Sequence, residues 1–236
     1  MNNEKLIING SGSSKGGKFQ TVEINGSGIV TGDIECESLR FNGSGKADGK
    51  VKAEDVVISG SGKITGAVEA DSIHINGSAS IHGNLQANKV KVAGFSSFGG
   101  FVKGEDLTIS GKASIAEDCE IETFQSEGKF SVGGLLNADD VNIRLSAGES
   151  KAQEIGCRRI VVKSRRGVLS LFKLLPSPVL TAHIIEGDEI DLADTKAKIV
   201  RGNSVKIGPG CHIELVEYSG QFECDQSATV VKSQRI

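Results

Sequence analysis

Tryptophan is absent from the 236 residues, and there is one tyrosine. So few rings leave little on which bases could stack, and a net charge of −3 offers phosphates no broad basic footprint, which disfavours a nucleic-acid partner. Proline occurs only three times, so the chain is neither a proline-rich linker nor collagen-like. No apolar run approaches the roughly 20 residues that a spanning helix needs, and the longest candidate, residues 168–180, is broken by Lys173, Pro176 and Pro178. The first eight residues hold one lysine and no apolar h-region, so a cytoplasmic address is the default. Five cysteines, Cys36, Cys119, Cys157, Cys211 and Cys224, are odd in number and contain no CxxC pair, which points to reduced thiols.

Glycine, in contrast, is plentiful at 31 residues, and its placement is regular. Gly26, Gly43, Gly60, Gly77, Gly94, Gly111 and Gly128 lie 17 positions apart. A second glycine follows six positions later in each copy, at Gly32, Gly49, Gly66, Gly83, Gly100 and Gly134, with Glu117 the exception. Apolar residues keep the same count in four registers, which begin at Val30, Ile34, Leu39 and Phe41. The step of two from Leu39 to Phe41 is the alternation of a half-buried strand, and no copy carries a helical stripe.

A repeat too short for a strand-helix unit can only be one coil of short strands and tight turns. Coils stacked in parallel at about 4.8 Å place equivalent residues above one another and pile their apolar side chains into a core that one coil alone could not bury. The expected fold is an all-β, right-handed parallel β-helix with 17-residue coils, the hand following from the general rule for parallel crossovers. Asn25, Asn42, Ser59, Asn76 and Ser110 precede register glycines, which predicts positive-φ corners there.

Stacking also converts sequence into surface columns. One reads Glu35, Lys52, Glu69, Gln86, Lys103, Glu120, where adjacent opposite charges hold register. Another, Glu37, Glu54, Asp71, Asn88, Glu105, Glu122, Asp139, is an acidic stripe, read either as a solvated corner or as a surface for a basic partner or cations. Cys119 occupies a core register, and His74 points outward. His82 has no recurring base, orienter and oxyanion donor around it, so no catalytic residue, metal site or cofactor is assigned. The glycine-rich segment at residues 26–32 is one position off a dinucleotide fingerprint and recurs as coil geometry.

The strict count ends near Leu145. The expected organisation is a short tail at residues 1–6, a regular β-helix at 7–145 and a less regular β-helical extension at 146–236, with a basic and apolar insertion at 163–182. Within that insertion Arg165, Arg166, Leu169, Leu171, Phe172, Leu174 and Leu175 are candidates for membrane or partner binding. Three readings stay open: packing over the flank, self-association, or contact with an anionic membrane.

The segment Ile8-Asn-Gly-Ser-Gly12, the entry Phe19-x-x-Val22-x-Ile24-x-Gly26-Ser-Gly28 and the following coils with Gly32-Asp33-Ile34 and Gly66-Ala67-Val68 resemble the bactofilins, bacterial polymer-forming cytoskeletal proteins, here in a long form with a carboxyl-terminal extension. The resemblance covers about residues 7–143. It implies a non-enzymatic, nucleotide-independent scaffold that polymerises end to end and organises envelope-associated machinery in cell shape, wall synthesis or motility. Its partners would be itself or a related chain and envelope proteins, in the cytoplasm or at the inner face of the membrane. Phe19, Val22 and Ile24 in the first coil are the candidates for self-association. A non-polymerising β-helical adaptor and a hexapeptide-type acyltransferase are the alternatives, the latter disfavoured by a 17-residue rather than an 18-residue coil.

Overall fold

Short runs rich in valine and isoleucine favour extended backbone, and the corner glycines return the chain to its start after each circuit. The computed structural model describes residues 4–146, 148–164 and 177–236, and these form parallel strands with no helix. They divide into two units, Met1–Glu117 and Asp118–Ile236. The first contains β1 (Lys5–Ile8), β2 (Ser11–Ile24), β3 (Ser27–Phe41), β4 (Ser44–Asp48), β5 (Val51–Ile58), β6 (Ser61–Ile64), β7 (Val68–Ile75), β8 (Ser78–Ile81), β9 (Leu85–Val92), β10 (Phe95–Phe98), β11 (Val102–Ile109) and β12 (Lys112–Ile115). The second contains β13 (Cys119–Ser126), β14 (Lys129–Leu145), β15 (Glu149–Ser164), β16 (Val179–Leu192), β17 (Thr195–Ile207), β18 (His212–Cys224) and β19 (Thr229–Arg235).

In the first unit each strand pairs with its equivalent one coil away, making a β-solenoid. Val30 pairs with Ala47, Ala47 with Ile64, Ile64 with Ile81, Ile81 with Phe98 and Phe98 with Ile115. The four apolar registers all point inward: Leu39, Val56, Ile73, Val90 and Leu107, for example, are at most 1% exposed. A longer strand such as β5 bends between Ala53 and Val56, where Glu54 and Asp55 both face out, so each coil has three sides. Lys5 and Leu6, expected in a leading tail, already pair with Thr21 and Val22.

Two further inward columns consist of small residues. One runs Cys36, Ala53, Ala70, Ala87, Gly104, and the other Gly28, Gly45, Gly62, Ala79, Ser96, Ala113. The second column makes room for large neighbours, because a Cβ at Gly45 or Gly62 would collide with the Phe41 ring.

The register glycines differ from expectation in their reason. Gly26, Gly43, Gly60, Gly77, Gly94 and Gly111 are not among the residues with positive φ, whereas Gly10, Gly17 and Gly32 are. What excludes a side chain is proximity: a Cβ on Gly60 would lie inside contact distance of the Gly43 carbonyl oxygen, and one on Gly77 would meet that of Gly60. The preceding asparagines act through their side chains, Asn42 Nδ2 donating to Asn25 Oδ1 at 2.8 Å and Asn25 Nδ2 to Asn9 Oδ1 at 2.8 Å.

The second unit repeats the parallel ladder with a changing coil length. Leu136 pairs with Ile155, 19 positions on; Ile155 with Ile185, 30 on; Ile185 with Val200, 15 on; and Val200 with Val216, 16 on. The longest step includes residues 165–176, which lie outside the described residues, and Val179 to Ala182 belong to strand β16. The less regular continuation expected beyond Leu145 is therefore also a coil stack.

Gly60→Ala and Gly77→Ala are expected to cost about 1–3 kcal/mol each, since the backbone one coil away cannot move aside alone. Ser44→Ala, which faces out, should stay within about 0.5 kcal/mol of the parent. Urea midpoints at constant slope measure both.

Candidate functional site

The first unit ends in an open coil. Among the described residues β1 pairs only with β2, and the stretch of β2 from Ser11 to Phe19 pairs only with β3. These backbone groups face outward along the coil axis with no strand over them. Leu6, Ser14 and Phe19, which belong to inward registers, are only half-buried here. Gly17, at φ 158°, lies under the Phe19 ring, with its Cβ position 3.5 Å from Phe19 Cζ. Val22 and Ile24 sit one layer deeper, fully buried beneath Leu6 and Ile8. Of the three residues expected to form an end contact, Phe19 is thus at the surface and Val22 and Ile24 are core.

The second unit also ends in an uncovered coil. Among the described residues β19 pairs only with β18, and Val230 and Ala228 remain half-buried. Tyr218 and Phe222 stack with centroids 5.1 Å apart, and Val231 is 70% exposed.

The charged columns occupy the coil flanks. In the first unit Lys18 Nζ lies 2.8 Å from Glu35 and Lys52 Nζ 3.9 Å from Glu69, so the alternating ladder begins one coil earlier than the sequence suggests. The hydrogen bond from Lys18 holds the Glu35 carboxyl below its usual range. Glu37, Glu54, Asp71 and Glu105 form a separate edge at the bend between the second and third sides, and none of them makes a hydrogen bond or ion pair among the described residues. Glu122 and Asp139 occupy the equivalent bend in the second unit, where Arg158 donates to neighbouring Asp140 at 2.6 Å.

The first side of the first unit is a shallow trough of about 640 Å³, floored by Ser27, Ser44, Ser61 and Ser78 and edged by Lys46 and Lys63. Ile29 and Phe95 stand at its two ends, 44% and 66% exposed. On the same side Thr65 Oγ1 donates to Asp48 at 2.9 Å and the His82 ring nitrogen Nδ1 is 3.4 Å from the Ile64 carbonyl oxygen, so these side chains tie adjacent coils together. Small serines gave no apolar or charge signal, which is why sequence reading missed the trough. The basic and apolar candidates Arg165, Arg166, Leu169, Leu171, Phe172, Leu174 and Leu175 lie outside the described residues.

Burial pushes the Cys36 and Cys119 thiols up to about 12, and burial with nearby Asp140 and Asp188 does the same for Cys157. Cys211 is raised to about 11, again mainly by burial. Cys224 is exposed. A raised thiol pKa means less thiolate below that value, so at pH 8 a disulfide reagent should titrate one fast equivalent from Cys224, react slowly with half-buried Cys157, and reach buried Cys36, Cys119 and Cys211 only after unfolding. More than one fast equivalent in the native protein would contradict this burial pattern.

A family model described as bactofilin, polymer-forming cytoskeletal, matches residues 2–86 and 42–120. The uncharacterized protein YhbE of Bacillus subtilis (strain 168) is 73% identical over 233 residues, which cover 99% of this chain and 98% of that protein. The uncharacterized protein YhbF of the same strain is 38% identical over 96 residues, or 41% of this chain and 39% of its own length. No solved structure matches the chain.

Proposed function

The chain belongs to the bactofilin family of polymer-forming cytoskeletal proteins, and from that premise we propose that it is a non-enzymatic scaffold that assembles without nucleotide through the open ends of its coil stacks. The observation that carries the reading is the uncovered first coil. An edge strand displays a row of unpaired N–H and C=O groups, and proteins that remain monomeric usually blunt such an edge with a cap, a bulge or inward charge. Here β1 and the Ser11–Phe19 stretch turn small and apolar residues toward the interior and Lys5, Lys15 and Lys18 toward solvent, and another coil laid over them would bury Leu6 and Phe19 as interior coils bury their equivalents. The partner is a second copy or a related chain.

Growth by coil addition needs no chemical step, because the driving force is burial of apolar surface and completion of backbone hydrogen bonds. The scaffold would organise envelope-associated proteins in cell shape, wall synthesis or motility, from the cytoplasm or at the inner face of the membrane. Among the described residues no helix is long and apolar enough to cross a membrane. Residues 163–182 are the candidate segment for a peripheral membrane contact.

Purified protein in nucleotide-free buffer is expected to pellet and to show filaments by negative-stain microscopy. Leu6→Lys with Phe19→Lys should shift it to the supernatant with an unchanged circular dichroism spectrum. Val22→Asp should instead unfold the first coil, because that residue is buried one layer in. A protein monomeric at every concentration would sink the polymer reading in favour of an adaptor.

A further inference from the structure

Each coil of the first unit has three sides, so the bend bearing Glu37, Glu54, Asp71 and Glu105 lies opposite the serine-floored side. The two surfaces are complementary in charge. Along the bend Glu37, Glu54 and Asp71 stack at the coil spacing, Asn88 separates them from Glu105, none of the four has an ion pair among the described residues, and the adjacent column holds Asp55, Asp106 and Lys89. Directly stacked like charges repel, and among the described residues none of these four carboxylates has an ion-pair partner. On the opposite side Lys46 and Lys63 occupy successive coils and Lys112 lies further along, and among the described outward residues of the strands aligned there Asp48, which accepts from Lys46 at 3.0 Å, is the one acid.

We propose that these are the two halves of a lateral contact between copies of this chain, the acidic bend of one copy seated in the serine trough of the next. The bend is convex and the trough shallow, and its floor of serines lets a neighbouring backbone approach. Lys46 and Lys63 are separated by the same coil rise of about 4.8 Å as successive carboxylates of the bend, so the two lysines of one copy can meet two neighbouring carboxylates of the next. Ile29 and Phe95 close the trough at its ends with the exposed apolar area that an interface covers. Because the two patches are different surfaces on opposite sides, the contact is heterologous and propagates from copy to copy as an open row instead of closing into a pair. Between filaments it would produce flat sheets, and in that form the inference rests on the filament reading above.

A charge exchange tests it. In low salt the wild type should form multi-filament sheets, and these should separate into single filaments at about 0.5 M salt, where the screening length is roughly 4 Å. Lys46→Glu with Lys63→Glu places acid on both surfaces, and Glu54→Lys with Asp71→Lys places base on both, so each double variant alone should give only single filaments. Mixing the two restores one complementary contact and should restore sheets. Wild-type sheets from either variant alone, or single filaments from the mixture, would overturn the contact. If the wild type forms no filaments, sedimentation velocity reads the same exchange. Salt-sensitive association that each variant loses and the mixture regains then supports the contact without the filament reading, and monomers throughout overturn it.

Discussion

Everything in this chain depends on coil-to-coil pairing in parallel register. Each backbone hydrogen bond that joins one coil to the next also fixes which side chains lie above one another, so the ladder and the core are one constraint seen from two directions. A single coil buries almost nothing, and the interior columns exist only because Leu39, Val56, Ile73 and their equivalents are held in line. The same constraint fixes the surface, turning scattered lysines and carboxylates into rows.

The coil geometry was legible in the first half because large apolar residues and glycines recur at one spacing. What escaped were positions whose role is to be small. Ala53, Ala87 and Gly45 face the interior, yet alanine and glycine give no apolar signal, and their contribution is visible only once Phe41 and its neighbours are seen filling the room they leave. The corner glycines are legible in the sequence but their reason is not: Gly60 needs no left-handed backbone, only the absence of a side chain against the coil below. In the second half the interior pattern persists while the corners change length, so a search for fixed spacing fails although Ile155, Ile185 and Val200 remain stacked. Corners carry little of the core, and residues can enter there without disturbing it.

The candidate assembly surfaces are less legible in the sequence than the fold. Val22 and Ile24 are apolar because they are interior, whereas Phe19 is apolar and only half-covered, a difference that depends on β1 lying over one and not the other. The acidic bend was visible as a column of like charge, but the trough opposite it had no signature, since serine is equally at home on any solvated strand.

From β3 to β12 the step is a constant 17 residues, which makes the length of that stack modular. Interior coils see the same neighbours above and below, so an in-frame duplication or deletion of 17 codons would shift the axial position of whatever binds beyond it by a single rise, leaving the other coils intact. Each coil added or removed would change that stack by about half a nanometre, so its extent follows from the number of repeats alone.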